Sequence, residues 1–458
     1  MADAADGPDP RRWRVLAVFA LATGSNAFMW MDFSSVASLT EELLGISEGE
    51  LNWTYTIALL CVLPATPFAM HYVEHRNWAT MFALVVSNAL AAWLRLAAVV
   101  SKSYLCAMLS SVVMGFGTAV IICSMTFLAG SWFPPAERTL ATSLAAQANS
   151  AGWALGAVVV PNCVFHVDDF RPFLFAQALL VTMCLPAFLA LFVGVPPPVG
   201  VPPPGAQQHG GGGGGGGGCC AAVFGSLSSE LRVLFANRQY MQQSACYTML
   251  AGVAFAFPAI QAEIFAPDGL TSQQSSWTNL SFISSGVVLG IVAGKRVRTP
   301  AQFGPVLKTL FAVSTVTATL LALVVEDYKA ILGTSKAALM AFLVPAMGVM
   351  GGCSIGFLGI GLQAASEVAE PVPETISAGL VEWFIQISAA VLTQMSSGGP
   401  GLKPCVVVLW IFTPYFFWSF DGRCYEKDHS LRQTELADRG TDGGSLGEAS
   451  PYVLVTDE

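Results

Sequence analysis

From the first tryptophan to about residue 420, apolar residues come in runs of about twenty, broken by short charged or Pro/Gly-rich segments. Twenty residues wound as an α-helix rise ~30 Å, the thickness of a bilayer's hydrocarbon core. The pattern predicts spans near 15–37, 52–72, 78–100, 104–130, 139–161 and 172–195. A second set follows near 241–265, 274–294, 303–325, 337–362, 376–397 and 402–420. Between them, Pro196 to Asn237 opens with two proline runs, continues through glycines at 210–218 and closes with a mildly amphipathic Leu227–Phe235. The expected organisation is a short N-terminal segment (1–14), a six-helix bundle (15–195), a flexible linker (196–240), a second six-helix bundle (241–420) and a tail (421–458). The fold class is therefore all-α membrane protein, with 12 transmembrane helices.

Composition agrees. Charged residues make up 11% and apolar residues 54% of 458 positions, whereas soluble domains carry roughly 25% charged residues. A secreted disulfide scaffold, a nucleic-acid binder and a soluble enzyme are excluded on that ground. The first apolar run follows Arg11, Arg12 and Arg14, outlasts a signal-peptide core and lacks a small-residue cleavage site, so it reads as the first span. Of the net charge of −9, five units lie in the tail after residue 420, with nine acids against four bases. Such a segment is expected to hold little fixed structure. Fifteen Lys and Arg residues fall on one side of the predicted spans and six on the other. This asymmetry places both termini and the linker in the cytoplasm. The plasma membrane and an organelle membrane both stay open. Cys219 and Cys220 would sit at a membrane edge, either untouched or reversibly palmitoylated.

The loop before the fifth span, Trp132-Phe133-Pro134-Pro135-Ala136-Glu137-Arg138, has an echo before the eleventh, Glu370-Pro371-Val372-Pro373-Glu374. With the glutamates superposed, Asn149 and Gln386 each lie twelve residues on, ~18 Å past the loop. Two amides at matching depth in matching helices suit a duplicated six-plus-six architecture around a central cavity. Glycines spaced by four, at 286, 290 and 294 and at 348, 352 and 356, predict close helix packing.

Polar side chains at bilayer depth must find a protein partner or line water. Asn26 and Trp30 share a face of the first span, where Trp30 reads equally as a lipid-interface aromatic or a cavity wall. Asp32, close by, either reaches external water or serves as a proton or cation site. Gln147 and Asn149 point in different directions, and the repeat favours Asn149. Glu382 and Gln386 lie one turn apart with Trp383 alongside. For Glu382 a proton or cation site is favoured over a protonated carboxyl bonded to a neighbouring helix. Phe255 lies near mid-depth in the seventh span. No hydrolase, metalloprotease or dinucleotide motif is found, and the five histidines fall in loops or at span ends. An enzyme is not expected, nor a metal or other cofactor.

The two-times-six layout resembles the major facilitator superfamily. Three segments are similar, more narrowly, to the feline leukaemia virus subgroup C receptor-related transporters (solute carrier family 49). These are Ser25-Asn26-Ala27-Phe28-Met29-Trp30, the Trp132–Arg138 loop, and Glu367-x-x-x-Pro371-x-x-Glu374-x-x-x-x-Gly379-Leu380 running on to Gln386. That family is associated with choline, ethanolamine, haem and, in one branch, a B6 vitamer. The resemblance implies substrate contacts at Trp30 and Gln386, and near Phe255, where a family tyrosine is replaced. It also implies gating by the loop residues Glu74, Arg76, Glu137, Arg138, Glu367 and Glu374. The chain departs from the family at Ser150, where a second amide is missing, and at Glu382, usually an uncharged amide. The loop after the second span, Glu74-His75-Arg76-Asn77, lacks the expected glycine.

The expected function is alternating-access transport of a small polar metabolite, a choline- or ethanolamine-like amine or a vitamin. Trp30, Asn149, Phe255, Glu382 and Gln386 are the leading contacts, with Asn26 and Trp383 beside them. The expected partners are that small molecule and the bilayer, with no nucleic acid, and the chain is read as a monomer. A haem or organic-anion exporter and a transport-inactive receptor or scaffold are the alternatives.

Overall fold

The structure of the protein is a computed structural model. It describes residues 9–193, 219–265, 270, 272–297, 299–331, 335–396 and 401–419. The acidic tail lies outside the described residues, as do the first part of the linker and the side chains of Cys219 and Cys220.

Local chemistry sets where the helices begin and end. The first span is α1 (Arg11–Met29), interrupted at Trp30, then α2 (Met31–Ser34) and α3 (Ala37–Leu44). Gly45, in the left-handed region at φ 66°, stops α3, a conformation that a Cβ disfavours. Ser47 and Glu50 then form a reciprocal capping box that opens α4 (Glu48–His75). Helices α5 (Asn77–Ser101) and α6 (Tyr104–Trp132) meet at Lys102, and α7 (Pro135–Cys163) starts with proline at its first position. Proline suits that place because its missing N–H would have no helical partner there. The chain continues through α8 (Phe170–Leu191), α9 (Cys219–Ala236), α10 (Arg238–Phe265), α11 (Ser272–Arg296), α12 (Phe303–Ile331), α13 (Lys336–Val368), α14 (Glu374–Ser396) and α15 (Lys403–Ser419). Among the described residues there is no strand.

Nine of these helical segments are long and apolar enough to cross a membrane, among the described residues. Helices α7 and α10 reach 29 and 28 residues, and Lys403–Trp418 is a shorter apolar helix. The reason α7 is less apolar is its position. Its Thr142, Ser143, Gln147 and Ser150 are buried against protein, so they do not face lipid. Elsewhere large apolar side chains point outward, among them Trp418 at 74% and Leu180 at 72% exposure, as a hydrocarbon solvent permits.

Helices α1–α8 pack among themselves, chiefly α4 and α5 on α6, α1 on α7 and α8 on α5. Helices α10–α15 form a second group through α11 on α13, α10 on α14 and α12 on α13 and α15. The groups meet where α7 packs on α11 and α13, and where α14 packs on α4 and α6. Helix α9 occupies most of the described part of the expected linker and includes the amphipathic Leu227–Phe235. Its Leu227 and Leu234 are buried, and it touches α4 of the first group and α10 and α14 of the second.

The glycine spacing resolves into two surfaces. A residue spacing of four advances ~40° past a full turn, so Gly286, Gly290 and Gly294 drift around α11. A Cβ on Gly286 would strike Ile355 of α13, whereas Cβ atoms on Gly290 and Gly294 would strike Gln147 and Ser143 of α7. On α13, Gly356 approaches the backbone of Gly290. Close packing thus serves the contact between the groups as well as the contact within one.

Candidate functional site

Between the two groups lies a cavity of about 40 Å³, counted as the volume open to the centres of water-sized molecules. One water needs ~10–15 Å³ on that measure, so the chamber has room for a few waters in this conformation. Its walls carry Trp30 from the α1–α2 break, Asn149 from α7, Phe255 from α10, and Glu382 and Gln386 from α14. The five residues singled out in the sequence therefore share one chamber, drawn from both groups of helices.

Four rings form a continuous aromatic wall. Tyr55 of α4 meets Trp30 edge-on with centroids 4.9 Å apart. Trp30 meets Trp153 of α7 at 6.5 Å, and Trp153 meets Phe255 edge-on at 5.4 Å across the group boundary. Tyr55, Trp153 and Thr118 were missed by sequence reasoning. Trp153 stands four residues after Asn149 and so on the same helix face, a signal the sequence did contain. Tyr55 and Thr118 reach the chamber only through tertiary packing.

Glu382 is 7% exposed and faces the chamber. It makes no ion pair or hydrogen bond with any described residue. The amides of Asn149 and Gln386 are likewise unbonded to the described residues. The chamber thus combines one carboxyl group, two free amides and a π-surface.

Two expected contacts lie elsewhere. Asn26 is buried behind Trp30, off the chamber wall. Its Oδ1 accepts from Trp30 Nε1 at 3.3 Å and from the Thr118 hydroxyl at 2.9 Å. Its Nδ2 donates to Asn88 Oδ1 at 2.8 Å and faces the Met114 carbonyl at 3.3 Å. With its amide engaged by Trp30 and by two neighbouring helices, α5 and α6, Asn26 fixes the indole in place and has nothing left for a substrate. Trp383 also turns away, because one residue along a helix is ~100° around it. Its Nε1 donates to the Leu63 carbonyl of α4 at 3.2 Å.

Asp32 departs from its expected setting too. It does not reach external water but is fully buried, paired with Arg95 Nη1 at 3.2 Å and accepting from Gln177 Nε2 at 2.8 Å. The Arg95 guanidinium also lies 4.9 Å over the Phe33 ring. Neither charge lines the chamber.

At the end of the molecule bearing the α4–α5, α6–α7 and α13–α14 turns, the two groups are bonded together. Arg138 approaches Glu374 at 3.9 Å, Thr126 donates to the Glu374 carbonyl at 3.3 Å, and Thr375 reaches Glu74 at 3.5 Å. Deeper in, Thr142 donates to Gln363 at 2.8 Å and Gln147 to the Ile355 carbonyl at 3.0 Å. The other expected gating residues have different surroundings. Glu137 pairs within its own group with Arg12 at 3.1 Å. Glu367 accepts from Gln363, one turn back on α13, at 3.3 Å. Arg76 is exposed and its side chain is joined to none of the described residues.

Known proteins share this fold. A solved transporter of the superfamily, FucP in the outward conformation, superposes with a TM-score of 0.65 at 13% identity, covering 90% of this chain and 98% of its own. The human organic anion transporter MFSD10 does so at 0.58 and 14%, covering 90% and 100%. At these identities the likeness concerns the fold. In sequence the chain is similar to solute carrier family 49 member A3 of Danio rerio, 25% identical over 413 residues, 84% of this chain and 81% of that one. It is also similar to the human choline/ethanolamine transporter FLVCR2, 23% identical over 419 residues, 88% and 75%. The sequence model of the Major Facilitator Superfamily matches residues 16–392. With two helix groups around a shared chamber and a match over most of its length, this multi-pass membrane protein belongs to the major facilitator superfamily.

Proposed function

We propose that the chain carries a small organic amine of the choline or ethanolamine class across its membrane by alternating access, binding it in the chamber between the helix groups. The single observation that carries this reading is Glu382, a buried carboxyl with no partner among the described residues, facing a wall of four aromatic rings. A carboxylate taken out of water calls for a counter-charge. π-faces attract cations by roughly 0.5–2 kcal/mol each. The chamber therefore favours a compact cation with an apolar shell. Asn149 and Gln386, both unbonded, would hydrogen-bond its hydroxyl. No basic side chain lines the chamber among the described residues, and Arg95 is committed to Asp32, which disfavours haem and other organic anions. The similarity to the choline/ethanolamine transporters FLVCR1 of mouse and FLVCR2 of human supports the same substrate class.

The bonded end, with Arg138, Glu374 and Glu74, is the closed gate, and its contacts part when the carrier reorients. The surplus of basic residues puts this end, both termini and the linker on the cytoplasmic side. Twelve spans follow if α7, α10 and α15 cross with the nine apolar segments.

Uptake of radiolabelled choline, ethanolamine and pyridoxine into proteoliposomes holding the purified protein tests the reading. Glu382→Gln and Gln386→Ala are expected to lower flux at least tenfold. Flux of these amines unchanged by both substitutions overturns the assignment of the chamber.

A further inference from the structure

We propose that Glu382 holds a proton and an amine cation by turns, so that transport is a one-for-one, electroneutral exchange of amine for proton. The inference rests on the amine reading above and adds the coupling.

Among the described residues nothing pairs with the Glu382 carboxyl. From α6 the titratable neighbour is Cys123, whose Sγ lies 3.9 Å from the Thr66 carbonyl. From α10 it is Tyr247, whose hydroxyl donates to the Leu358 carbonyl at 2.8 Å. On α4 the chamber wall adds Tyr55, on α7 it adds Asn149, Ser150 and Trp153, and on α13 it adds Leu358. None of these is a cation, and neither Cys123 nor Tyr247 makes a bond to the carboxyl. The buried charges Asp32 and Arg95 neutralise each other within the first helix group. Glu74, Arg138 and Glu374 are engaged at the closed gate.

A carrier must pass through a state in which the chamber is closed at both ends. An ionised Glu382 there is a bare charge in a low-dielectric interior, which is strongly disfavoured. Two forms avoid this, the protonated acid and the carboxylate with a bound amine cation. Both are neutral at the site, so both can reorient. At one face the amine cation enters as the carboxyl releases its proton to water. At the other face the carboxylate takes a proton from water as the amine leaves. One positive charge moves each way, with no net charge transferred and no covalent bond changed other than the carboxyl O–H.

The test uses wild-type protein in liposomes and labelled choline, a quaternary cation that cannot leak as a neutral base. A lumen 1.5 pH units more acidic than the bath is expected to drive choline accumulation toward ~30-fold, the ratio that 1.5 decades of proton gradient supports. A valinomycin-imposed potassium potential is expected to have no effect. Choline addition should also acidify the bath, as read by an external pH dye. Glu382→Gln abolishes the pH drive and leaves any residual flux sensitive to potential, while Glu382→Asp restores the pH drive in part.

Choline flux that follows the potential and ignores the pH gradient overturns the exchange while leaving amine transport standing. Failure of choline and ethanolamine to quench the chamber tryptophans, together with no flux of either, overturns both proposals. Retention of pH-driven accumulation in Glu382→Gln overturns the role of this residue. If Glu382→Gln does not fold, the wild-type measurement and Glu382→Asp still decide the matter.

Discussion

The indole N–H of Trp383 reaches across the group boundary to the carbonyl oxygen of Leu63 at 3.2 Å. That carbonyl is available because the residue four positions on is Pro67, inside α4, and proline has no N–H to close the helical bond. One helix group thus exposes a backbone acceptor, and the other supplies the donor. The bond is made only while α4 and α14 lie side by side, so it is a contact of this conformation.

Trp383→Phe keeps an aromatic ring and deletes the donor. A net hydrogen bond contributes ~0.5–1.5 kcal/mol, so the substitution should shift the balance between closed and parted gate by roughly two- to tenfold. Nitroxide labels at the exposed positions Arg76 and Arg238 would report it as a larger fraction of long distances. An unchanged distribution would show that the bond does not bias the gate.

If Trp30 binds the substrate as proposed, Asn26 acts on it through the indole that it holds. Asn26→Leu removes the acceptor for the indole N–H and the Thr118 hydroxyl, and leaves Asn88 Oδ1 without its donor. Unpaired buried polar groups cost about 1–3 kcal/mol each. Choline affinity should fall about five- to fiftyfold by titration of tryptophan fluorescence, while Thr118→Val has a smaller effect. A loss of melting temperature with affinity intact would make Asn26 structural only.

The Asp32–Arg95 pair should behave as a unit. Arg95→Met alone leaves a buried carboxylate with only Gln177, and the expected penalty is ~3–5 kcal/mol. Asp32→Asn together with Arg95→Met should recover most of the lost thermal stability, measured as Tm in detergent. Equal damage from the single and the double variant would contradict the pairing. Since neither residue lines the chamber, amine affinity should be nearly unchanged in the double variant.

Gly290 lies against the amide of Gln147, so Gly290→Val places two methyl groups where α7 must pass. Overpacking of this kind costs ~1–3 kcal/mol. Because the clash arises in the closed-gate conformation, the labels at 76 and 238 should move apart and flux should fall. Gly352→Ala has ordinary van der Waals room, with Leu289 at 3.5 Å, and serves as the control.

The membrane fold was legible because lipid leaves a coarse signature, with outward faces that are apolar over the length of a bilayer. The places where that signature weakens, in α7 and α10, are where helices bury polar residues against each other. Depth along a helix was also readable, which is how Asn149 and Gln386 were paired. Azimuth was not. Asn26 and Trp30 share a face, and only packing against Asn88 and Met114 decides that one braces while the other lines the chamber. Trp383 follows Glu382 in the chain yet looks toward α4, a direction that depends on where Pro67 opens a carbonyl. Asp32 and Arg95 are 63 positions apart, and no local pattern announces their bond.

Helix α9 rests on both halves at once, with one flank on α4 and the other on α10 and α14. A part seated on two bodies that swing against each other cannot stay seated on both. If the halves rock as proposed, each swing must break one of its two seats, so the helix would limit how far the halves travel. Shortening or stapling this helix would therefore set how far the carrier can swing, with every substrate contact left intact.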